Sequence, residues 1–230
     1  MNVYVVVEGE VGERQVYKSW IPYVCPSLTY VNSLLDIKDN NFSILACQGY
    51  PGYFEIITNA IEDINNLDIK IDRLVIAADS EEMSFDEKYN EIKEFLMGKT
   101  CAANILIVIQ HFCLETWALG NRRVVPRNPQ RNPPRNPQNE DLLEYKKFFD
   151  VLTRDPELMP SYPPKELNRA QFAEKYLRAM LLERNPILTY KKSNPQTLLP
   201  RTYFTEVKKR FEETGHIHSF SAFLNAFRMG

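Results

Sequence analysis

Three acids in this sequence stand just behind apolar runs. Glu8 closes Val3-Tyr4-Val5-Val6-Val7 and is followed at once by Gly9. Leu74-Val75-Ile76-Ala77-Ala78 runs into Asp79-Ser80-Glu81-Glu82, and Ile105-Leu106-Ile107-Val108-Ile109 is followed shortly by Glu115. Short β-branched runs of this kind read as buried strands. In an open α/β sheet, ligands bind beyond the carboxyl ends of the strands, so acids from distant parts of the chain can converge there. Clustered carboxylates repel one another and lose hydration, a cost that a hard, oxygen-preferring cation such as Mg²⁺ offsets. The spacing therefore points to a metal site assembled on strand ends.

The elements that must position these acids alternate. Gly12 to about Trp20 reads as a helix that ends before Pro22, and Phe42–Cys47 as a second strand closed by the turn Gln48-Gly49-Tyr50-Pro51-Gly52. Phe54, Ile57, Ile61 and Ile64 recur at helical spacing, as do Phe85, Tyr89, Ile92 and Leu96. Ser84 followed by Glu87 is a capping box that starts the latter helix. A further helix start falls near Leu114–Leu119. Strands alternating with helices predict an α/β fold with a mostly parallel sheet covered on both faces.

After Asn121 the character changes. Pro126 to Asn139 holds five prolines and three copies of Arg-Asn-Pro, at Arg127, Arg131 and Arg135. Such a segment reads as an extended linker or loop. Beyond it come helical stripes: Leu142, Tyr145, Phe149 and Leu152; Phe172, Tyr176 and Met180; Phe204, Val207 and Phe211; then Phe220, Phe223, Leu224 and Phe227. Ile187–Tyr190 is the one strand candidate there. The expected organisation is an α/β domain over 1–121, a Pro/Arg-rich linker over 122–139 and a helical region over 140–230.

The acids in this order resemble the Toprim fold, in the version found in OLD-type and RloB-like nucleases of bacterial defence systems. The Toprim pattern is a strand ending in Glu, here Glu8, then a strand ending in an Asp-x-Asp-type pair, here Asp79 with Glu81. Cys113-Leu114-Glu115-Thr116-Trp117-Ala118-Leu119 is similar to the Cys-Phe-Glu-x-Trp-Leu-Leu third motif of RloB-like proteins. The resemblance covers roughly residues 1–121. It implies Mg²⁺- or Mn²⁺-dependent cleavage of phosphodiesters in DNA or RNA, with Glu8, Asp79, Glu81 and Glu115 as catalytic and metal-binding residues. It also implies a defence or toxin role and a possible separate ATPase partner. Two departures stand out. The pair's second member is Glu81 rather than Asp, with Glu82 beside it as an alternative. The first motif holds one residue more than the commoner Glu-Gly-x-Thr-Glu form, which leaves Glu10 and Glu13 both open as the further acid.

Composition narrows the alternatives. A net charge of −2 shows no overall basic field, so nucleic-acid binding must rest on a local patch. Between Glu115 and Glu140 there is no acid, while Arg122, Arg123, Arg127, Arg131 and Arg135 supply positive charge suited to phosphate. In polyproline II geometry a four-residue repeat places successive arginines about 12 Å apart and rotated by roughly 120°, an adaptable arm rather than one flat face. A plain linker grown by repeat duplication reads equally well. Cys25, Cys47, Cys101 and Cys113 form no Cys-x-x-Cys pair, which argues against zinc and disulfides and for reduced thiols in a cytoplasm. Met1 leads directly into a strand, with no signal-type segment and no apolar run of roughly 18 residues, so no membrane is expected. His111 reads as a histidine supporting the site, and His216 and His218 as a pair without a third ligand. Trp117 reads as core, and Lys191, Lys192, Lys208, Lys209 and Arg210 as ordinary surface charge. No P-loop, dinucleotide fingerprint or nucleophile elbow is present. The competing functions are a non-catalytic module that docks nucleic acid or an ATPase, and a receiver- or phosphatase-like domain, whose reactive group is usually an aspartate where this chain has Glu8.

Overall fold

The computed structural model describes residues 1–47, 52–124, 141–185 and 190–229. β1 (Val3–Val7) is buried at all five positions because it lies in the middle of the sheet. It pairs in parallel with β3 (Asn41–Ala46) on one side and β4 (Arg73–Asp79) on the other. The edges are β2 (Thr29–Tyr30) and β5 (Asn104–Gln110), giving the all-parallel order β2-β3-β1-β4-β5. Alternation divides the apolar run between two faces. Val3, Val5 and Val7 join one core, and Tyr4 and Val6 the other.

The second face is covered by α2 (Tyr53–Asn66), through Ile57, Ile61 and Ile64, and by α3 (Phe85–Leu96), through Ile92. The predicted capping box is present: Ser84 Oγ accepts from the Glu87 amide at 3.2 Å, and the Ser84 amide donates to Glu87 at 2.8 Å. The first face is covered by α1 (Gly12–Val24). This helix runs through Pro22 instead of stopping before it. Proline here falls in the last turn and forfeits a single backbone hydrogen bond, while burial of Trp20 and Ile21 beside it holds the turn down. The two-residue β2 has no apolar alternation and is invisible in the sequence.

The helices after residue 140 are α5 (Asp141–Phe148), α6 (Arg169–Arg184), α7 (Arg201–Thr214) and α8 (Phe220–Phe227). Their apolar stripes belong to the same cluster as the first sheet face and have no separate core. Trp20 of α1 meets Phe204 at 5.5 Å, Phe220 at 6.1 Å and Phe223 at 6.3 Å between ring centroids. Its indole N–H donates to Leu198 O at 2.9 Å. Arg73 donates to Ala226 O and Arg228 O, both at 2.8 Å, and ties the end of α8 to the start of β4. Trp117, on the single turn α4 (Leu114–Ala118), is fully buried against Phe220 and Phe223 and donates to Ser219 Oγ at 2.7 Å.

The strand order creates one special place. From β1 the chain goes first to β2 and β3 on one side, then crosses back to β4 and β5 on the other. The two connections diverge above the carboxyl end of β1, where a crevice opens. Glu8 is the first residue beyond that end.

Candidate metal centre

Four elements bring one acid each to this crevice. Glu8 follows β1, and Asp79 is the last residue of β4. Because Val7 is level with Ala77 in the parallel pair, the two acids lie side by side, and the Asp79 amide donates to Glu8 Oε2 at 3.3 Å. Glu13 lies in the first turn of α1, buried, where Oε2 accepts from the Gly9 amide at 2.5 Å and Oε1 from Gln110 Nε2 at 2.6 Å. Glu115 lies in the single turn α4 behind β5, also buried. Together with Glu10 they line a cavity of about 580 Å³.

Its remaining wall comes from far along the chain. Tyr190 donates its hydroxyl proton to Glu115 Oε1 at 2.5 Å, and Lys192 Nζ lies 4.0 Å from Glu115 Oε2. Gly12 makes this possible. A Cβ there would fall 2.1 Å from Lys192 O, so only glycine lets the segment lie on the start of α1.

The electrostatics are those of crowded carboxylates. Burial pushes Glu13 up to about 7, with Glu8 and Glu115 adding repulsion against the pull of the Gly9 and Gln110 hydrogen bonds. Burial also holds Asp79 well above the usual carboxylate range, reinforced by Glu13, Glu8 and Glu115 and opposed by Lys192. Glu8 is raised by burial too, against the pull of Lys88. Burial works against the Lys192 ammonium, but Glu115, Asp79 and their neighbours outweigh it and keep it charged. The Cys47 thiol, on the cavity wall, is pushed up to about 12 by burial and by Glu8 and Glu13, which disfavours the thiolate.

These residues fit a hard divalent cation. The donor set is all carboxylate oxygen, and Asp79 Oδ1 is enclosed with no hydrogen-bond partner. Among the described residues, however, no three His, Cys, Asp or Glu side chains are grouped tightly enough to hold an ion between them. The acids share one cavity but do not close a cage.

The sequence-predicted residues divide. Glu8, Asp79 and Glu115 do meet at the cavity. Glu13 joins them as a buried, hydrogen-bonded group, while Glu10 stands exposed at the rim. Glu81 does not line the cavity. It is exposed, in a left-handed turn (φ +49°) whose amide donates to Phe112 O, and it reaches Glu8 only as a neighbouring charge. Glu82 is engaged elsewhere, where its carboxylate accepts the first amide of α6, from Arg169, at 2.8 Å. Arg122 and Arg123 are taken up by Glu213 and Glu206, at 2.5 and 3.0 Å. Arg127, Arg131 and Arg135, and the strand candidate short of Tyr190, lie outside the described residues. His111 pairs with Ser80 Oγ at 3.0 Å, beneath Asp79. Sequence reasoning missed Gln110, Tyr190 and Lys192. Gln110 was legible as the polar end of β5. Nothing in the sequence separates Lys192 from any other surface lysine.

No protein-family model, curated protein or solved structure matches the chain.

Proposed function

We propose that the protein is a Mg²⁺- or Mn²⁺-dependent nuclease that cleaves phosphodiester bonds in DNA or RNA, as an effector of a bacterial antiphage defence or toxin system. What carries the reading is the convergence of Glu8, Glu13, Asp79 and Glu115 at the point where the strand order reverses, with an enclosed, unpartnered Asp79 oxygen among them. The Toprim-like order of Glu8, Asp79 and Glu115 along the chain supplies the phosphodiester part of the proposal. Glu8, Asp79 and Glu115 are the candidate oxygen donors, and they would have to draw closer together to share one ion. When bound, the ion would activate a water and stabilise charge on the attacking and leaving oxygens. Glu13, buried and accepting from the Gly9 amide and Gln110 Nε2, would stand beside the ion as a further carboxylate. Tyr190 and Lys192 fix the direction of Glu115. Incubation of the purified protein with DNA and with RNA in Mg²⁺ or Mn²⁺ tests the proposal. Cleavage that persists in the doubly substituted Glu8→Ala, Asp79→Ala protein would sink this site.

One observation favours a second reading. Arg122 and Arg123 are ion-paired, and Lys192 already balances part of the acidic charge. That arrangement suits a non-catalytic module that binds a metal, nucleic acid or a partner ATPase. A stable complex with no turnover in any divalent ion would select it.

A further inference from the structure

A second cavity, of about 550 Å³, is bordered by the segment that also walls the acidic one. Lys192 and Ser193 line the first cavity, and Asn194 and Gln196 line the second. Ser193 and Asn194 are consecutive, so one short segment borders both cavities. The size falls within the range of small-molecule sites, roughly 300–1,000 Å³.

The chemistry of the second lining differs from the first. Three carboxamide residues line it, Asn121, Asn194 and Gln196; such a group carries both donors and acceptors, and that of Gln196 donates from Nε2 to Gln15 Oε1 at 3.1 Å. Asn121 is buried, and its Oδ1 accepts the Arg123 amide at 3.0 Å, which fixes its orientation. Arg123 and Glu206, 3.0 Å apart, add a paired donor and acceptor at the rim. Carboxamides, guanidinium and carboxylate are the groups that read the edges of bases. Val124 and Pro200 supply apolar ground for a ring.

We infer that this second cavity binds an unstacked nucleobase of a single-stranded substrate, next to the phosphodiester held at the acidic cavity. The inference rests on the nuclease reading for what occupies the first cavity. The shared segment would let a phosphate sit at the acidic cavity while a base of the same strand enters the neighbouring one. Taking a base out of the stack is least costly in single strands, so the site selects single-stranded over duplex substrate.

The test measures binding by fluorescence anisotropy, using the full chain. The probes are a labelled short single-stranded oligonucleotide, the same strand made abasic throughout, and its duplex. The intact strand is expected to bind more tightly than the abasic one and the duplex. Asn194→Ala should weaken binding of the intact strand about tenfold, the worth of a good hydrogen bond, with no change for the abasic strand. Asn194→Asp, which swaps the donor for a charge, should shift which homopolymer binds best. Unchanged melting temperature in both variants confirms folding. Equal binding of intact and abasic strands, or an Asn194→Ala protein that keeps the difference, overturns the inference. Cleavage with no base dependence would overturn it while leaving the nuclease reading intact. Base-dependent binding without cleavage would do the reverse.

Discussion

Asp79 holds the sharpest consequence at the scale of single residues. Its enclosed Oδ1 has no partner, and three other carboxylates press on it. Asp79→Asn removes a charge from that crowd. We expect the variant to melt at a higher temperature than the parent in chelator, and to lose the rise in melting temperature that Mg²⁺ or Mn²⁺ gives the parent. For an ion at roughly a hundredfold excess over its Kd, that rise corresponds to about 2.7 kcal/mol. Equal response of parent and variant to the ion would remove Asp79 from the site. Two raised carboxyls also set a pH dependence. Glu13 and Glu157 are both held at about 7, chiefly by burial, the latter with Ser219 as its hydrogen-bond donor. Their unfolded values lie near 4.5, so between those limits the folded state binds the extra proton. Their contribution is therefore fully present below about 4.5 and lost as pH rises through about 7. Denaturant titrations in chelator should show stability falling across that window. Divalent ion should abolish the Glu13 part and leave the Glu157 part, which Glu157→Gln alone removes.

Elements explain which of these residues could be read in advance. The strands announce themselves because central parallel strands are apolar on both faces. The acids behind them therefore stand out as interruptions, as at Val7-Glu8 and Ala78-Asp79. The box at Ser84 was legible because its two partners are three residues apart. Tyr190 and Lys192 were not, since their position depends on a glycine in another element. Glu81 misled for a local reason. The residues after β4 turn through a left-handed conformation that carries it out to solvent, while Glu82 is spent on α6. At this scale the expected test is Gly12→Ala. The added methyl meets Lys192 O, so the wall must shift, with activity falling by about tenfold or more and melting temperature only modestly. Trp20→Ala should do the opposite, costing about 3–5 kcal/mol of stability by opening a cavity between α1, α7 and α8.

The whole molecule departs from a chain of separable parts. A helical region after residue 140 was legible from its stripes, but its seat on the sheet was not, because periodicity shows which face is apolar and not what it packs against. Phe204, Phe220 and Phe223 complete the core begun by Val16, Tyr17 and Trp20. A chain cut before α7 should therefore fail to give a cooperative thermal transition. If the arginines of 126–139 bind phosphate, deleting that segment should flatten the salt dependence of oligonucleotide binding. Among the described residues no helix is long and apolar enough to cross a membrane.

The contact between Gly12 and Lys192 also has a temporal meaning. Ribosomes make residue 12 early and residue 192 late. For most of synthesis the nascent chain carries Glu8, Glu13 and Asp79 without the Tyr190–Ser193 wall that completes their cavity. If those acids cut nucleic acid, they are expected to do so only once residues 190–193 have been made and have seated on Gly12.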